Sequence, residues 1–139
     1  VKGAATTPKA TLVEYSDFQC PACGLWYSTI EKVVAEQGSS LAFVYRHFPL
    51  TQIHKDAQKS AEASECVAKI GGNAKFWEFS NNIIAGAPES LSADSLKAEA
   101  IKIGIDEAEY TSCIASDYPK DEVAKNALAE SSGIRESKS

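Results

Sequence analysis

The sequence predicts an α/β domain built on one strand–helix–strand unit, and three observations support this. Residues 10–15 are rich in β-branched and aromatic side chains, which favours a strand packed on both faces. Residues 21–37 carry apolar side chains at helical spacing, and residues 41–48 alternate like a second strand before Pro49 ends the run. These lengths predict a right-handed βαβ unit with parallel strands. Residues 1–9 show little periodicity, so we expect a lead-in or a short edge strand that is mostly irregular.

The remaining chain carries helix signals. We expect small helices over residues 53–70, 74–84, 92–104, from residue 106 past Cys113, and over 119–131. Gly71-Gly72 should end the first, and Ser92 and Asp106 have the spacing of N-caps. The predicted organisation is therefore a βαβ unit over 1–50, a helical subdomain over 51–132 and a frayed tail over 133–139.

Composition limits the class of protein. The 139 residues suit one domain, and 44% hydrophobic with 24% charged residues is ordinary for a globular protein. A net charge of −5 makes nucleic acid an unsuitable partner. Because no apolar run approaches ~18 residues and no basic start precedes an apolar stretch, we expect neither a membrane span nor a signal peptide. An exported protein would be present here in its mature form.

Two of the four cysteines flank the junction between the first strand and its helix. Pro21 suits a first helical turn, which places Cys20 at the helix N-terminus. Free N–H groups and the positive end of the helix dipole favour a thiolate there, so Cys20 should be acidic and reactive. Cys23, one turn further, should be a shielded partner that resolves mixed disulfides. A structural disulfide or half of a zinc site is the alternative interpretation, which the strand-to-helix context disfavours.

The other two cysteines are Cys66 and Cys113. We expect them to form a structural disulfide in an oxidising compartment, and the alternative is two inert buried thiols. A four-cysteine zinc site is disfavoured because this second pair lacks close spacing, so no metal is expected.

Three stretches together resemble the DsbA-like thiol:disulfide oxidoreductases: LVEYSDFQCPAC over residues 12–23, FVYRHFPL over 43–50, and FW at 76–77. The resemblance extends over residues 10–134. It implies a thioredoxin-like fold with an inserted helical subdomain, in an exported bacterial protein of the periplasm or extracellular space. It also implies that the disulfide passes to folding proteins and is restored by a membrane quinone-linked partner. No metal or organic cofactor is implied, since the disulfide carries the electrons.

The resemblance assigns roles by position. Cys20 matches the surface nucleophile, Cys23 its buried partner, and Glu14 a buried acid that transfers the proton of the buried thiol. A carboxyl group under the active helix would have a raised pKa and could exchange protons with Cys23. The alternative for Glu14 is an ordinary strand residue that faces water.

The sequence also departs from the family pattern. In the active-site motif, Pro21 is followed by Ala22, where strongly oxidising members carry a histidine, so we expect a less oxidising couple. His47 on a strand and His54 at a helix start are expected to be structural or solvated. The family's C-terminal strands and cis-proline loop are not found in this sequence, by truncation or omission of a segment.

Two rival interpretations remain open. A reductase or isomerase would keep the same dithiol reduced, and its potential would be near about −270 mV rather than about −120 mV. A non-catalytic chaperone or binding module would keep the scaffold, with a merely structural Cys20–Cys23 disulfide.

Overall fold

A computed structural model describes residues 1–3, 6–86 and 91–132, with side chains up to residue 128. Three strands and five helices follow one another along the described chain: β1 (Lys2–Gly3), β2 (Ala10–Ser16), α1 (Pro21–Gln37), β3 (Leu41–His47), α2 (Ala57–Ala85), α3 (Ala93–Lys102), α4 (Glu107–Ala115) and α5 (Tyr118–Ser132). None of the described helices combines the length and hydropathy needed to cross a membrane. The predicted tail over residues 133–139 lies outside the described residues.

The predicted βαβ unit is confirmed, with β2 and β3 paired in parallel. The described sheet has the order β1-β3-β2, and β1 pairs antiparallel with β3. The expectation that β2 is packed on both faces is wrong, because Leu12 is 38% exposed and the strand becomes buried only at Ser16. The reason is position: β2 lies at an edge of this sheet, whereas Phe43 on the central strand is fully buried.

Helix α1 has the predicted bounds, and it buries Tyr27 and Val34. Trp26 and Val33 share the predicted apolar spacing but are 64% and 37% exposed. Each lies one residue, about 100°, away from a buried position, so it falls on the flank of the helix. A narrow stripe therefore attaches α1 to the sheet.

Helix α2 contains both of the first two predicted helices. It bends at Gly72, where φ is 81°, so the predicted break at Gly71-Gly72 is found there. The predicted start at residue 53 is wrong, because residues 51–56 form turns and α2 begins at Ala57. His54 consequently lies in the loop before α2 rather than at a helix start, and its ring is bonded to Asp17.

The predicted caps of the next two helices are confirmed. The Ser92 side chain accepts a hydrogen bond from the Ser95 N–H at the start of α3. Asp106 accepts one from the Glu109 N–H at the start of α4. Each cap satisfies an N–H group that the helix itself cannot pair.

The core contains an aromatic cluster. Phe79 is fully buried and Trp77 nearly so, and the Trp77 ring centroid lies 5.6 Å from that of Phe43 on the sheet. A disulfide joins Cys66 on α2 to Cys113 on α4, which links two helices across 47 positions. The described peptide bonds include none in the cis form.

We predict that replacing both structural cysteines, Cys66→Ala with Cys113→Ala, lowers the free energy of unfolding by about 2–5 kcal/mol, because the unfolded chain loses a long closed loop. Urea denaturation of the oxidised proteins measures this. Cys20→Ser with Cys23→Ser is the matched control and should change stability much less. Equal stability of the first variant and wild type would contradict the prediction.

Candidate active site at the start of helix α1

The site begins at the turn that leads from β2 into α1. The Cys20 N–H donates to the Asp17 carbonyl oxygen at 3.1 Å, and Cys20 caps the helix with extended backbone angles, φ −75° and ψ 116°. The first intrahelical hydrogen bond runs from the Gly24 N–H to the Cys20 carbonyl. Cys20 caps the helix through its backbone, and its side chain accepts no hydrogen bond from the N–H groups of the first turn. The structure places Cys20 at the helix N-terminus, as the sequence predicts.

Cys20 and Cys23 are both free thiols and both partly exposed, so the structure shows the reduced dithiol. Burial raises the pKa of Cys23, and its hydrogen bond with Cys20 raises that pKa further. Hydrogen bonds from the Ser16 side chain and the Asp17 backbone oppose this and lower the pKa of Cys23. The second thiol is thus held in its protonated form but has two groups ready to stabilise its thiolate.

Glu14 lies two residues before Ser16 on β2 and is half-buried rather than facing water. Burial raises the pKa of its carboxyl group, and a hydrogen bond with Ser16 partly offsets that rise. Its Oε2 atom is buried and has no hydrogen-bond partner among the described residues. This environment suits a carboxyl group that takes up and releases a proton.

Ser16 connects the two groups to which the sequence assigns proton exchange. It is buried at the end of β2, and its side chain hydrogen-bonds with both Glu14 and Cys23. Sequence reasoning missed this residue. The signal available was strand periodicity, because residues two apart on a strand share a face.

Tyr45 is a second residue that sequence reasoning missed at the site. It stands opposite Glu14 in the register of β2 and β3, and its ring stacks on Phe18 with centroids 5.1 Å apart. Burial raises its pKa well above the ordinary value, the nearby Ser16 side chain opposes this rise, and the nearby charge of Glu14 reinforces it. Tyr45 therefore closes the inner side of the dithiol site as a neutral phenol.

The two histidines occupy different environments. His47 is buried on β3, with its Nε2 atom 3.0 Å from a Glu65 oxygen and 3.1 Å from the Ser64 hydroxyl. His54 is partly exposed in the loop before α2, with its Nδ1 atom 2.8 Å from an oxygen of Asp17. His54 hydrogen-bonds to the turn that carries Cys20, whereas His47 meets that turn through an edge-to-face contact with the Phe18 ring, with centroids 5.7 Å apart.

Large apolar side chains remain exposed on the elements that flank the dithiol. Leu25 and Trp26 on α1 are 78% and 64% exposed, and Ile53 in the loop before α2 is 72% exposed. Leu25 and Trp26 line one surface pocket, and Leu50 and Ile53 line another. We refer to these four exposed side chains as the apolar rim. Such exposed clusters typically mark interaction surfaces.

Comparison with known proteins shows the family of this chain. The family model described as thioredoxin matches residues 2–134. The chain belongs to the thioredoxin family. The predicted resemblance and the predicted fold class are both confirmed.

Solved structures with this thioredoxin-like fold include DsbA-type proteins. DsbA2 of Pseudomonas aeruginosa superposes with a TM-score of 0.74 at 22% identity, covering 94% of this chain and 72% of that one. BdbD of Bacillus subtilis, in its oxidised form, superposes with a TM-score of 0.76 at 20% identity, covering 90% of this chain and 70% of that one. At these identities the likeness establishes the fold.

The curated relatives similar in sequence carry a different name. Na⁺/H⁺ antiporter NhaA 3 of Salinispora tropica is 37% identical over 107 residues, which is 76% of this chain but 16% of the antiporter. NhaA 1 of Mycolicibacterium gilvum is 42% identical over 83 residues, 60% of this chain and 13% of the antiporter. This thioredoxin-family chain therefore spans less than a fifth of the length of these relatives.

Metal ligation finds no support in the described part of the chain, where no group of three His, Cys, Asp or Glu residues is arranged to hold an ion. The Cys66 and Cys113 sulfurs are bonded to each other. The dithiol is thus surrounded by the Glu14 carboxyl group, the Ser16 and Tyr45 hydroxyls and the Asp17 backbone. These groups are suited to thiol–disulfide exchange with proton transfer.

We predict that Ser16→Ala slows the attack of Cys23 on a mixed disulfide by about tenfold, because the forming thiolate loses a hydrogen bond worth about 1.5 kcal/mol. The reduced chain reacts with the aromatic disulfide DTNB in two phases: Cys20 attacks first, then Cys23 displaces the second aromatic thiolate. Stopped-flow absorbance separates the phases. The first phase should keep its wild-type rate, and Ser16→Thr should restore the second; an unchanged second phase in Ser16→Ala would contradict the role of the hydroxyl.

We predict that ionisation of Glu14 lowers stability as the pH rises. Its pKa in the folded chain lies above the ordinary value of 4.5, so the unfolded chain loses this proton first and the folded state loses stability from about that pH upward. Glu14→Gln should lack this loss, and its stability relative to wild type should increase between about pH 4 and about pH 7. Urea denaturation at both values tests this, with Glu36→Gln on the exposed side of α1 as control. A constant difference between Glu14→Gln and wild type would contradict it.

Proposed function

We propose that this chain is a protein thiol:disulfide oxidoreductase that uses Cys20 and Cys23 as its redox pair. The observation that carries the proposal is the placement of Cys20 as the cap of α1, one turn before a shielded thiol with its own hydrogen-bond donors. A sulfur at a helix N-terminus is the better nucleophile and leaving group at neutral pH. A half-buried thiol beside a carboxyl group is suited to resolve the intermediate.

The exchange balances without another reactant. A substrate thiolate attacks the Cys20 sulfur of the oxidised pair, a mixed disulfide forms, and Cys23 leaves as a thiolate that takes a proton. A second substrate thiolate then attacks the substrate sulfur of the mixed disulfide, and Cys20 leaves as a thiolate. Two electrons pass from the substrate dithiol to the Cys20–Cys23 pair. The disulfide is the redox carrier, so the proposal requires no metal or organic cofactor.

Glu14 is the proton donor and acceptor for Cys23 in this scheme. Burial raises its pKa, so Glu14 holds its proton to a higher pH than an ordinary carboxyl group does. The Ser16 side chain is near both groups and lowers the pKa of each, so in this scheme it connects the proton exchange between Glu14 and Cys23. The same connection runs in reverse when Cys23 resolves a mixed disulfide.

The proposed substrates are exported proteins that are still folding, met in the periplasm or outside the cell. The structural disulfide supports this compartment, because such bonds persist where the environment is oxidising. The apolar rim of Leu25, Trp26, Leu50 and Ile53 suits exposed apolar segments of unfolded chains. A membrane quinone-linked partner would restore the disulfide, and the net charge of −5 disfavours nucleic acid.

The proposed direction is disulfide donation, with a couple less oxidising than that of relatives carrying histidine in place of Ala22. A reductase or isomerase is the alternative direction for the same dithiol. A chaperone-like or binding module with an inert disulfide is the alternative outside redox catalysis. The first two differ in reduction potential, and the third lacks dithiol turnover.

A second candidate function follows from the antiporter relatives. Their matching segments are 83–107 residues long within proteins named Na⁺/H⁺ antiporters. The candidate is a redox module that acts on a cation transporter, either its own or a separate one. It uses the same dithiol, so it changes the proposed target and leaves the proposed chemistry as it is.

We predict a reversible two-electron transition when the purified chain is titrated with oxidised and reduced glutathione. Trp26 lies one turn from Cys23, so its fluorescence should follow the disulfide, and alkylation with a mass-tagged maleimide gives an independent measure. A midpoint above the glutathione range favours the donor, whereas one near about −270 mV favours the reductase. The variant with both Cys20→Ser and Cys23→Ser controls for Cys66 and Cys113. The absence of any transition would contradict the proposed oxidoreductase activity.

A further inference from the structure

Two hydrogen-bonded links join the active-site turn to the loop over residues 48–56, and neither has a role in the chemistry described above. In the first link, the Asp17 carboxylate is almost fully buried, with its side chain 1% exposed. One oxygen accepts from the Gln19 N–H at 2.8 Å, which closes the turn on itself. The other oxygen accepts from the Leu50 N–H at 3.0 Å and lies 2.8 Å from the His54 ring nitrogen.

The second link runs parallel to the first. The Asp56 N–H donates to the Gln19 side-chain oxygen at 2.7 Å, and the Gln19 amide nitrogen lies 3.4 Å from an Asp56 carboxylate oxygen. Gln19 precedes Cys20, and Asp56 precedes the first residue of α2. The turn that presents the nucleophile is therefore tied at two positions, Asp17 and Gln19, to a loop more than thirty residues away in sequence.

The His54 ring is the replaceable member of the first link. A buried carboxylate is costly unless its oxygens are hydrogen-bonded, and Asp17 takes two of its three donors from the backbone. His54 supplies the third donor from a side chain that is only partly buried, at 16% exposure. Removal of the ring leaves a buried carboxylate oxygen with one donor fewer. Reorientation of the carboxylate toward water then becomes more favourable, and it would displace the turn that carries Cys20.

We propose that His54 is a positioning residue for Cys20: through Asp17 it holds the turn in the geometry that keeps the Cys20 sulfur at the N-terminus of α1. The connection is short, because the Asp17 carbonyl accepts the Cys20 N–H at 3.1 Å while the Asp17 carboxylate accepts from His54. Stabilisation of a thiolate by helix N–H groups falls off steeply with misalignment. His54 thus supports the reactivity of a sulfur that it does not touch.

This inference rests on the proposed function only in taking Cys20 as the nucleophile. It gives the loop over residues 48–56 two tasks, since the same loop carries the exposed Leu50 and Ile53 of the apolar rim. A chain bound on that rim would contact the segment that fixes the nucleophile. Substrate contact and Cys20 geometry are therefore mechanically connected through hydrogen bonds of 2.7–3.0 Å.

His54→Ala, made in the full chain, should slow the reaction of reduced Cys20 with iodoacetamide at neutral pH by about threefold to tenfold. The equilibrium constant with glutathione should shift toward the disulfide by a similar factor, a fall in potential of about 15–30 mV. His54→Asn should restore most of both quantities, because an asparagine amide nitrogen occupies nearly the position of the histidine Nδ1 atom. Lys55→Gln, at an exposed neighbouring position, controls for loss of positive charge in the loop.

Two outcomes would overturn the positioning role. One is a His54→Ala rate and potential within twofold of wild type; the other is a loss that His54→Asn fails to restore in a variant whose urea denaturation shows it to be folded. These measurements need no protein substrate. Failure of the proposed function would appear as absent redox turnover in wild type, whereas failure of the positioning role would leave wild-type turnover intact.

Discussion

The turn from Asp17 to Cys20 is the constraint on which the site depends. The chain must leave a strand and enter a helix within four residues, and every buried polar group on the way needs a partner. The buried Asp17 carboxylate meets this need by accepting from the turn itself and from the loop before α2. The result is a cap position occupied by a sulfur rather than by the usual hydroxyl or carboxylate.

That one turn gives two thiols, three positions apart, different environments. Cys20 stands at the end of the helix, where N–H groups face outward. Cys23 lies against the end of β2, where burial favours the protonated form and Ser16 and the Asp17 backbone favour the thiolate. The opposition of these effects matters chemically, because a resolving thiol must stay protonated at rest and lose its proton only during the exchange.

Local signals predicted the parts of the molecule that local physics determines. The caps at Ser92 and Asp106, the break at Gly72 and the helix start at Pro21 all depend on residues within a few positions of one another. The position of the dithiol follows from the same logic, since a strand followed by a proline-initiated helix places the intervening cysteine at the helix end.

What could not be predicted depends on contacts between distant residues. The His54 ring meets Asp17 across 37 positions, and Tyr45 meets Glu14 only because β2 and β3 pair in this register. From the sequence, His54 fits the start of a helical pattern. Only the structure shows that its ring is hydrogen-bonded to the buried Asp17 carboxylate. Ser16 was overlooked for a related reason: a lone serine at a strand end gains significance only when Glu14 and Cys23 are known to adjoin it.

The DsbA-type fold and the similarity to antiporter segments are compatible because a short stretch of the chain contains all the residues described around the dithiol. Every contact described around the dithiol, from Glu14 to Asp56, comes from the βαβ unit and the loop that follows it. The helices beyond this loop complete the hydrophobic core and carry a disulfide that joins two of them. The proposed redox site is assembled, together with its positioning groups, from about forty consecutive residues, so under that proposal its substrates depend on the surfaces near its apolar rim.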